Sequence, residues 1–221
     1  MQNEQTTPLR VFSRFLAVSR WALPLLVLAS VGCAQKTDRV LEQIKARGSL
    51  IVLTRNAPTT YYVGRDDQPQ GPEYALASAY ARSLGVTPKF VIKDSIAALM
   101  QAMAAGKGDM VAAGLTRTAQ RDKQFDFGPS YQQVTQQVVC RRGGPSPDAV
   151  DDLVGLDLEV VADSSYVARL DALKVEHPKL HWRVDSTAGT EQLLRKVWSG
   201  KIDCTVADSD IAAINRRYFP N

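Results

Sequence analysis

The sequence predicts an α/β fold made of two similar lobes, on three observations. Short apolar runs of strand length alternate with helical patterns from residue 38 to residue 217, the order that builds a parallel sheet covered by helices. A repeat recurs 94 residues apart: Gly106-Lys107-Gly108-Asp109-Met110-Val111-Ala112-Ala113-Gly114 aligns without a gap on Gly200-Lys201-Ile202-Asp203-Cys204-Thr205-Val206-Ala207-Asp208. Each copy ends a helix, stops it at glycine, turns and enters a buried strand, although Gly-Lys-x-Asp also suits any helix-to-strand turn. The 221 residues, 45% apolar and 23% charged, have an ordinary globular composition with room for a sizeable core.

Residues 1–20 are polar and carry Arg10, Arg14 and Arg20, and Trp21 to Val31 form an apolar run of eleven. A bilayer core needs about 20 apolar residues, so this run is too short to span one. A basic stretch, a short apolar run and small residues describe a signal peptide over 1–32. Leu28-Ala29-Ser30-Val31-Gly32-Cys33 resembles the lipobox of bacterial lipoproteins, which implies a diacylglyceryl group on Cys33 and cleavage just before it. Ala34 resembles the outer-membrane sorting pattern. A plain secretory peptide or an uncleaved anchor is the alternative.

After a linker at 33–37, Asp38 caps a helix carrying Val40, Leu41 and Ile44 on one face, and Gly48 stops it. Ser49–Thr54 reads as a buried strand and 55–70 as a loop. Residues 72–84 form a helix with Pro72 in its first turn and Tyr74, Leu76, Ala77, Tyr80, Ala81 and Leu84 at helical spacing. Strand 89–92, helix 95–105 and strand 109–113 complete lobe one, 38–133. Residues 134–139 cross to lobe two, 140–221, within a long strand that ends at Cys140. A turn at 143–147, strand 158–162, helix 166–176, strand 181–184, helix 190–198, strand 204–207 and helix 209–217 follow.

Ligands of open α/β sheets bind outside the carboxyl ends of the strands. The repeat puts Gly114 and Asp208 at equivalent strand ends, where two facing lobes would make a cleft. After Gly114 come Thr116 and Arg121. A hydroxyl, free backbone N–H groups and a guanidinium fork on one loop suit a carboxylate; the alternative is a surface arginine. Asp163-Ser164-Ser165 lies between a strand and a helix, where it can favour an anionic group or cap the helix. Asp208 can receive an ammonium group or serve as another cap. Tyr61 and Tyr62 can cover an apolar or sugar surface, or pack on the lobe.

Ala113-Gly114-Leu115-Thr116 with Arg121, followed by Phe125-Asp126-Phe127-Gly128-Pro129-Ser130-Tyr131, resembles the pattern of amino-acid-type periplasmic solute-binding proteins, a likeness covering nearly all of residues 38–219. The resemblance implies a two-lobed, type II periplasmic-binding-protein-like fold. By the same resemblance Gly114, Thr116 and Arg121 hold the ligand's α-carboxylate, Ser164 and Ser165 sit on the opposite wall, and Asp208 takes the α-amino group. Pro58-Thr59-Thr60-Tyr61-Tyr62-Val63-Gly64, Gln136-Gln137-Val138-Val139-Cys140-Arg141 and Val206-Ala207-Asp208-Ser209 are similar, more specifically, to the N-terminal module of the membrane-bound lytic murein transglycosylase F family. That likeness implies association with peptidoglycan and a small zwitterionic ligand (an amino acid, peptide or muropeptide), with no cofactor. Pro72 stands where the family commonly has an aromatic, and Asp163-Ser164 where it has Ser-Gly.

The resemblance also implies two crossings between lobes, and this sequence supplies one, so the second lobe is expected to be incomplete. The family's catalytic glutamate, commonly within Glu-Ser, belongs to a further helical domain; no Glu-Ser occurs in the 221 residues. Glycosidic cleavage needs a positioned general acid, so the expectation is a non-catalytic ligand-sensing module held at the outer membrane by Cys33. The alternative is a stand-alone amino-acid-binding lipoprotein that feeds a transporter. The net charge of +4, half of it within residues 1–32, and the lack of a basic stripe argue against nucleic acid. His177 and His181 flank Pro178, which ends the helix that would align them, so no metal site is expected. Cys140 and Cys204 correspond to tyrosines in the family pattern and are expected to pack as core residues, although an oxidising compartment permits a disulfide.

Overall fold

A computed structural model describes residues 34–218, so the expected signal peptide and Cys33 lie outside the described residues. Of the described residues, those from Gln43 onward form one compact unit. In order, α1 (Ala34–Arg47) is followed by β1 (Ser49–Thr54), β2 (Tyr62–Val63), β3 (Pro69–Gln70), α2 (Pro72–Ser83), β4 (Thr87–Ile92), α3 (Ile96–Ala104) and β5 (Met110–Val111). Then come β6 (Gln136–Cys140), β7 (Glu159–Val161), α4 (Ser165–Lys174), β8 (Arg183–Asp185), α5 (Thr190–Trp198), β9 (Cys204–Asp208) and α6 (Ser209–Asn215). The α/β alternation expected from the sequence is what forms. α1 starts four residues ahead of Asp38, which therefore lies inside the helix and not at its cap.

In the first lobe β1 lies between β4 and β5, parallel to both. A central parallel strand is buried on both faces and carries a near-continuous apolar run, here Leu50-Ile51-Val52-Leu53. Leu50 and Val52 pack with Ile44, Ala77 and Ala81, while Leu53 packs on the opposite face with Leu99, Ala102 and Ala113. Complete burial of such side chains is worth about 1.5–3 kcal/mol each. β4 is an edge strand and carries Pro88, tolerated there because an edge leaves N–H positions unpaired.

α2 turns a different face inward than its bulky residues suggest. Glu73, Ala77, Ser78 and Ala81 are buried, whereas Leu76 and Tyr80 are each 49% exposed. The alanines let the helix backbone approach β1 closely, and the larger side chains point outward. The loop expected over 55–70 contains the short antiparallel pair β2–β3.

In the second lobe β7 pairs in parallel with β8, a bridge between Leu158 and Cys204 joins β7 to β9, and β6 runs antiparallel along β9. Leu158, Val160, Tyr166, Leu170, Cys204 and Val206 form the core on one side; Leu194, Ala207, Ile211 and Ala212 form it on the other. The expectation that Cys140 and Cys204 pack unpaired is wrong. They stand directly opposite each other on β6 and β9 and form a disulfide, with Cα atoms 4.3 Å apart. The register of two strands 64 residues apart decides this, and no local spacing reveals it.

The repeat is a structural one. Gly106 (φ 66°) and Gly200 (φ 70°) both take the left-handed conformation that ends a helix. The next N–H closes the same bond in each copy, Lys107 to the Ala102 carbonyl and Lys201 to the Lys196 carbonyl, both at 2.9 Å. Asp109 then donates its N–H to the Ile51 carbonyl and accepts the Ile51 N–H on its carboxylate at 2.7 Å. Asp203 does both with Asp157, accepting its N–H at 2.8 Å. Each aspartate locks its strand against the neighbouring strand and sets where the next residues emerge.

Candidate functional site

The first copy delivers Gly114, held at φ 62°. Its N–H donates to Oε1 of Glu73 at 2.7 Å. Glu73 is buried in the first turn of α2, where the positive end of the helix dipole favours a carboxylate. The Tyr131 hydroxyl donates to the same oxygen. Burial and then the Glu73 carboxylate push the Tyr131 phenol well above its ordinary range.

Arg121 is buried and spans the two lobes. Its Nη1 donates to the Thr116 carbonyl at 2.7 Å and its Nη2 to the Asp163 carbonyl at 3.1 Å. Burial, and next the charge of Arg55, lower its pKa. Beside this contact, Ile96 of the first lobe packs with Val161 and Leu193 of the second. Thr116 and Arg121 are thus tied together through the Thr116 carbonyl, and the guanidinium reaches on to lobe two.

On the facing wall Asp163 has φ 56°. Ser164 stands at the N-cap of α4 without a side-chain capping bond, and its hydroxyl donates to the Val161 carbonyl at 2.6 Å. The Ser165 hydroxyl accepts from Gln136 Nε2 at 2.8 Å. Asp208 closes β9, and its N–H donates to the Tyr166 hydroxyl at 3.1 Å. Asp208 occupies the N-cap of α6, again without a side-chain capping bond, and its Oδ1 is buried with no partner among the described residues. Burial, then Asp210, raise its pKa, while Tyr166 and Arg55 act in the opposite direction.

Tyr61 joins an aromatic cluster on the first lobe, with ring centroids 5.9 Å from Tyr74 and 5.3 Å from Phe90. The Tyr62 hydroxyl donates to Gln70 at 3.1 Å. Both rings are thereby tied to their own lobe.

Sequence reasoning missed Arg55, Glu73, Tyr131 and Tyr166. Arg55 follows the last residue of β1, its Nε is buried without a partner among the described residues, and its charge acts on Arg121, Tyr166 and Asp208. The signal for it was position: it is the first residue past the carboxyl end of the central strand, where ligands of such sheets bind.

The family model of bacterial extracellular solute-binding proteins, family 3, matches residues 49–221, and the chain belongs to that family. Its fold is the two-lobed type II fold of amino-acid-binding proteins: it is similar to an ancestral arginine-binding protein bound to arginine, with a TM-score of 0.71 and 27% identity over 79% of this chain and 76% of that one. More particularly, it is similar to membrane-bound lytic murein transglycosylase F of Maricaulis maris (strain MCS10), 42% identical over 207 residues, 90% of this chain and 45% of that protein. The protein of the same name from Ectopseudomonas mendocina (strain ymp) is 41% identical over 198 residues, 89% of this chain and 40% of that protein. The chain spans less than half the length of these curated relatives.

Proposed function

We propose that this chain is the ligand-binding, non-catalytic module of a lytic murein transglycosylase, acting in peptidoglycan turnover from the periplasmic face of the outer membrane and anchored by Cys33. The ligand is a small zwitterion: an amino acid, a peptide or a muropeptide. The observation that carries this is the buried carboxylate oxygen of Asp208, at the end of β9, which has no partner among the described residues. A buried charge without a partner is costly, and an ammonium group would satisfy it. The ligand carboxylate would use the further N–H donors of Arg121 and compete with Glu73 for the Gly114 N–H. Relatives carrying the transglycosylase name favour this reading over a transporter-coupled receptor.

The test pairs two assays on the full chain. Calorimetry with amino acids and murein stem peptides is expected to detect binding, and incubation with murein sacculi is expected to release no muropeptides. Muropeptide release by this chain would overturn the non-catalytic role. For the anchor, Cys33→Ala is expected to leave the protein unprocessed or in the soluble fraction; unchanged processing and partitioning would contradict lipidation.

A further inference from the structure

We propose that Arg55 sets the specificity of the cleft, so that the site selects a zwitterion bearing an additional carboxylate and rejects one with a cationic side chain. The inference rests on the ligand-binding role proposed above and names the class of ligand.

Arg55 leaves β1 at its carboxyl end, and its backbone is fixed there: its carbonyl accepts from the Thr60 hydroxyl at 2.8 Å, and Thr60 is fully buried. The Nε of Arg55 is out of contact with solvent and has no acceptor among the described residues. A guanidinium N–H left dry and unpaired asks for an acceptor from elsewhere. The charge of Asp163 acts on Arg121. Glu73 accepts from the Gly114 N–H and the Tyr131 hydroxyl. Asp208 has one orphaned oxygen, which suits an ammonium group.

The first lobe therefore brings two guanidiniums, Arg55 and Arg121, to a site whose second lobe offers Asp208. An amino acid with a neutral side chain has one carboxylate for Arg121 and one ammonium for Asp208, and leaves Arg55 unanswered. A second carboxylate supplies the missing acceptor with a charge-assisted bond. A cationic side chain would instead place a third positive charge beside two that already repel each other.

The test measures binding to the full chain by calorimetry. The probes are L-glutamate, L-glutamine and L-arginine, each free and as the C-terminal residue of an alanyl dipeptide. Glutamate and glutamine match in size and differ in charge. The wild type is expected to bind the glutamate form at least about ten-fold more tightly than the glutamine form, and the arginine form least. Arg55→Gln is expected to bring glutamate and glutamine within about three-fold, and Arg55→Glu to invert the order of glutamate and arginine. Arg55→Gln keeps the length and polarity of the side chain and carries the test if Arg55→Glu does not fold. A wild type that binds glutamine as tightly as glutamate, or an Arg55→Gln variant that keeps the wild-type ratio, overturns the selection and leaves the ligand-binding role intact. A wild type that binds none of the six probes counts against both.

Discussion

The two lobes carry the same device and finish it differently. In each, a left-handed glycine ends a helix, and an aspartate ties the next strand to its neighbour by donating its N–H and accepting an N–H on its carboxylate. Three of the nine aligned positions, the glycine, the lysine and the aspartate, do the same work in both lobes. The last position is Gly114 in the first lobe and Asp208 in the second: one has a backbone N–H bonded to Glu73, the other a buried carboxylate. One scaffold used twice thus ends in a glycine whose N–H is held by Glu73 on one side and in a buried carboxylate on the other. The lobes also differ in how they are held. The second has a disulfide across β6 and β9, while the first relies on a central strand packed on both faces.

The largest expected effect concerns that disulfide. It closes a loop of 64 residues, for which the chain-entropy account gives about 4 kcal/mol. Denaturant unfolding of Cys140→Ser/Cys204→Ser should show a loss of this order, and hydrogen exchange should show β6 and β9 losing protection while β1 keeps it. Equal loss in both lobes would mean that the lobes are not separately held. Next in size is Arg121→Ala, which removes a buried contact between the lobes together with a carboxylate donor; it should weaken ligand binding at least about ten-fold. Arg121→Lys should recover part of the affinity, because lysine offers a point charge and no fork.

The equivalence of the repeats can be tested by twin substitutions. Asp109→Ala and Asp203→Ala each leave a strand N–H without its acceptor, at about 1–3 kcal/mol. Asp109 also loses its ion pair with Arg47, whose side chain is 40% exposed, so it should cost at most slightly more. A marked cost at one site and none at the other would break the comparison. The smallest effect is expected at Gly114→Ala. A Cβ there would meet Thr60 Cγ2 at 3.6 Å, an ordinary contact, so only the φ of 62° is penalised, by about 1 kcal/mol.

What could be read from the sequence was what is local. The helix stops, the buried run of Ser49–Thr54 and the Gly-Lys-x-Asp turns are set by residues a few positions apart, and the structure places them close to where they were expected. The inward face of α2 was misjudged, because Leu76 and Tyr80 look like core while the close approach to β1 selects Ala77 and Ala81. The pairing of Cys140 with Cys204 depends on strand register, and Arg55 on the convergence of two lobes. Arg55 is one of many arginines until the fold lets its charge act on Arg121 and Asp208. Thr116 and Arg121 lie five residues apart, and the structure joins them by a bond from the guanidinium to the Thr116 carbonyl.

The central claim is that Asp208 answers a ligand's ammonium group across the cleft from the Gly114 and Arg121 donors. The most direct measurement compares an α-amino acid with its α-hydroxy analogue, titrated calorimetrically into the wild type and into Asp208→Asn. The wild type should prefer the amino acid. Since burial raises the Asp208 carboxyl pKa, that preference should fade on acidification as pH falls through the raised value, earlier than for an ordinary aspartate. Asp208→Asn should bind both compounds alike at every pH and fold at least as stably as the wild type at neutral pH, where an ionised, incompletely paired carboxylate opposes folding. A variant that keeps the full preference for the amino acid would contradict the claim.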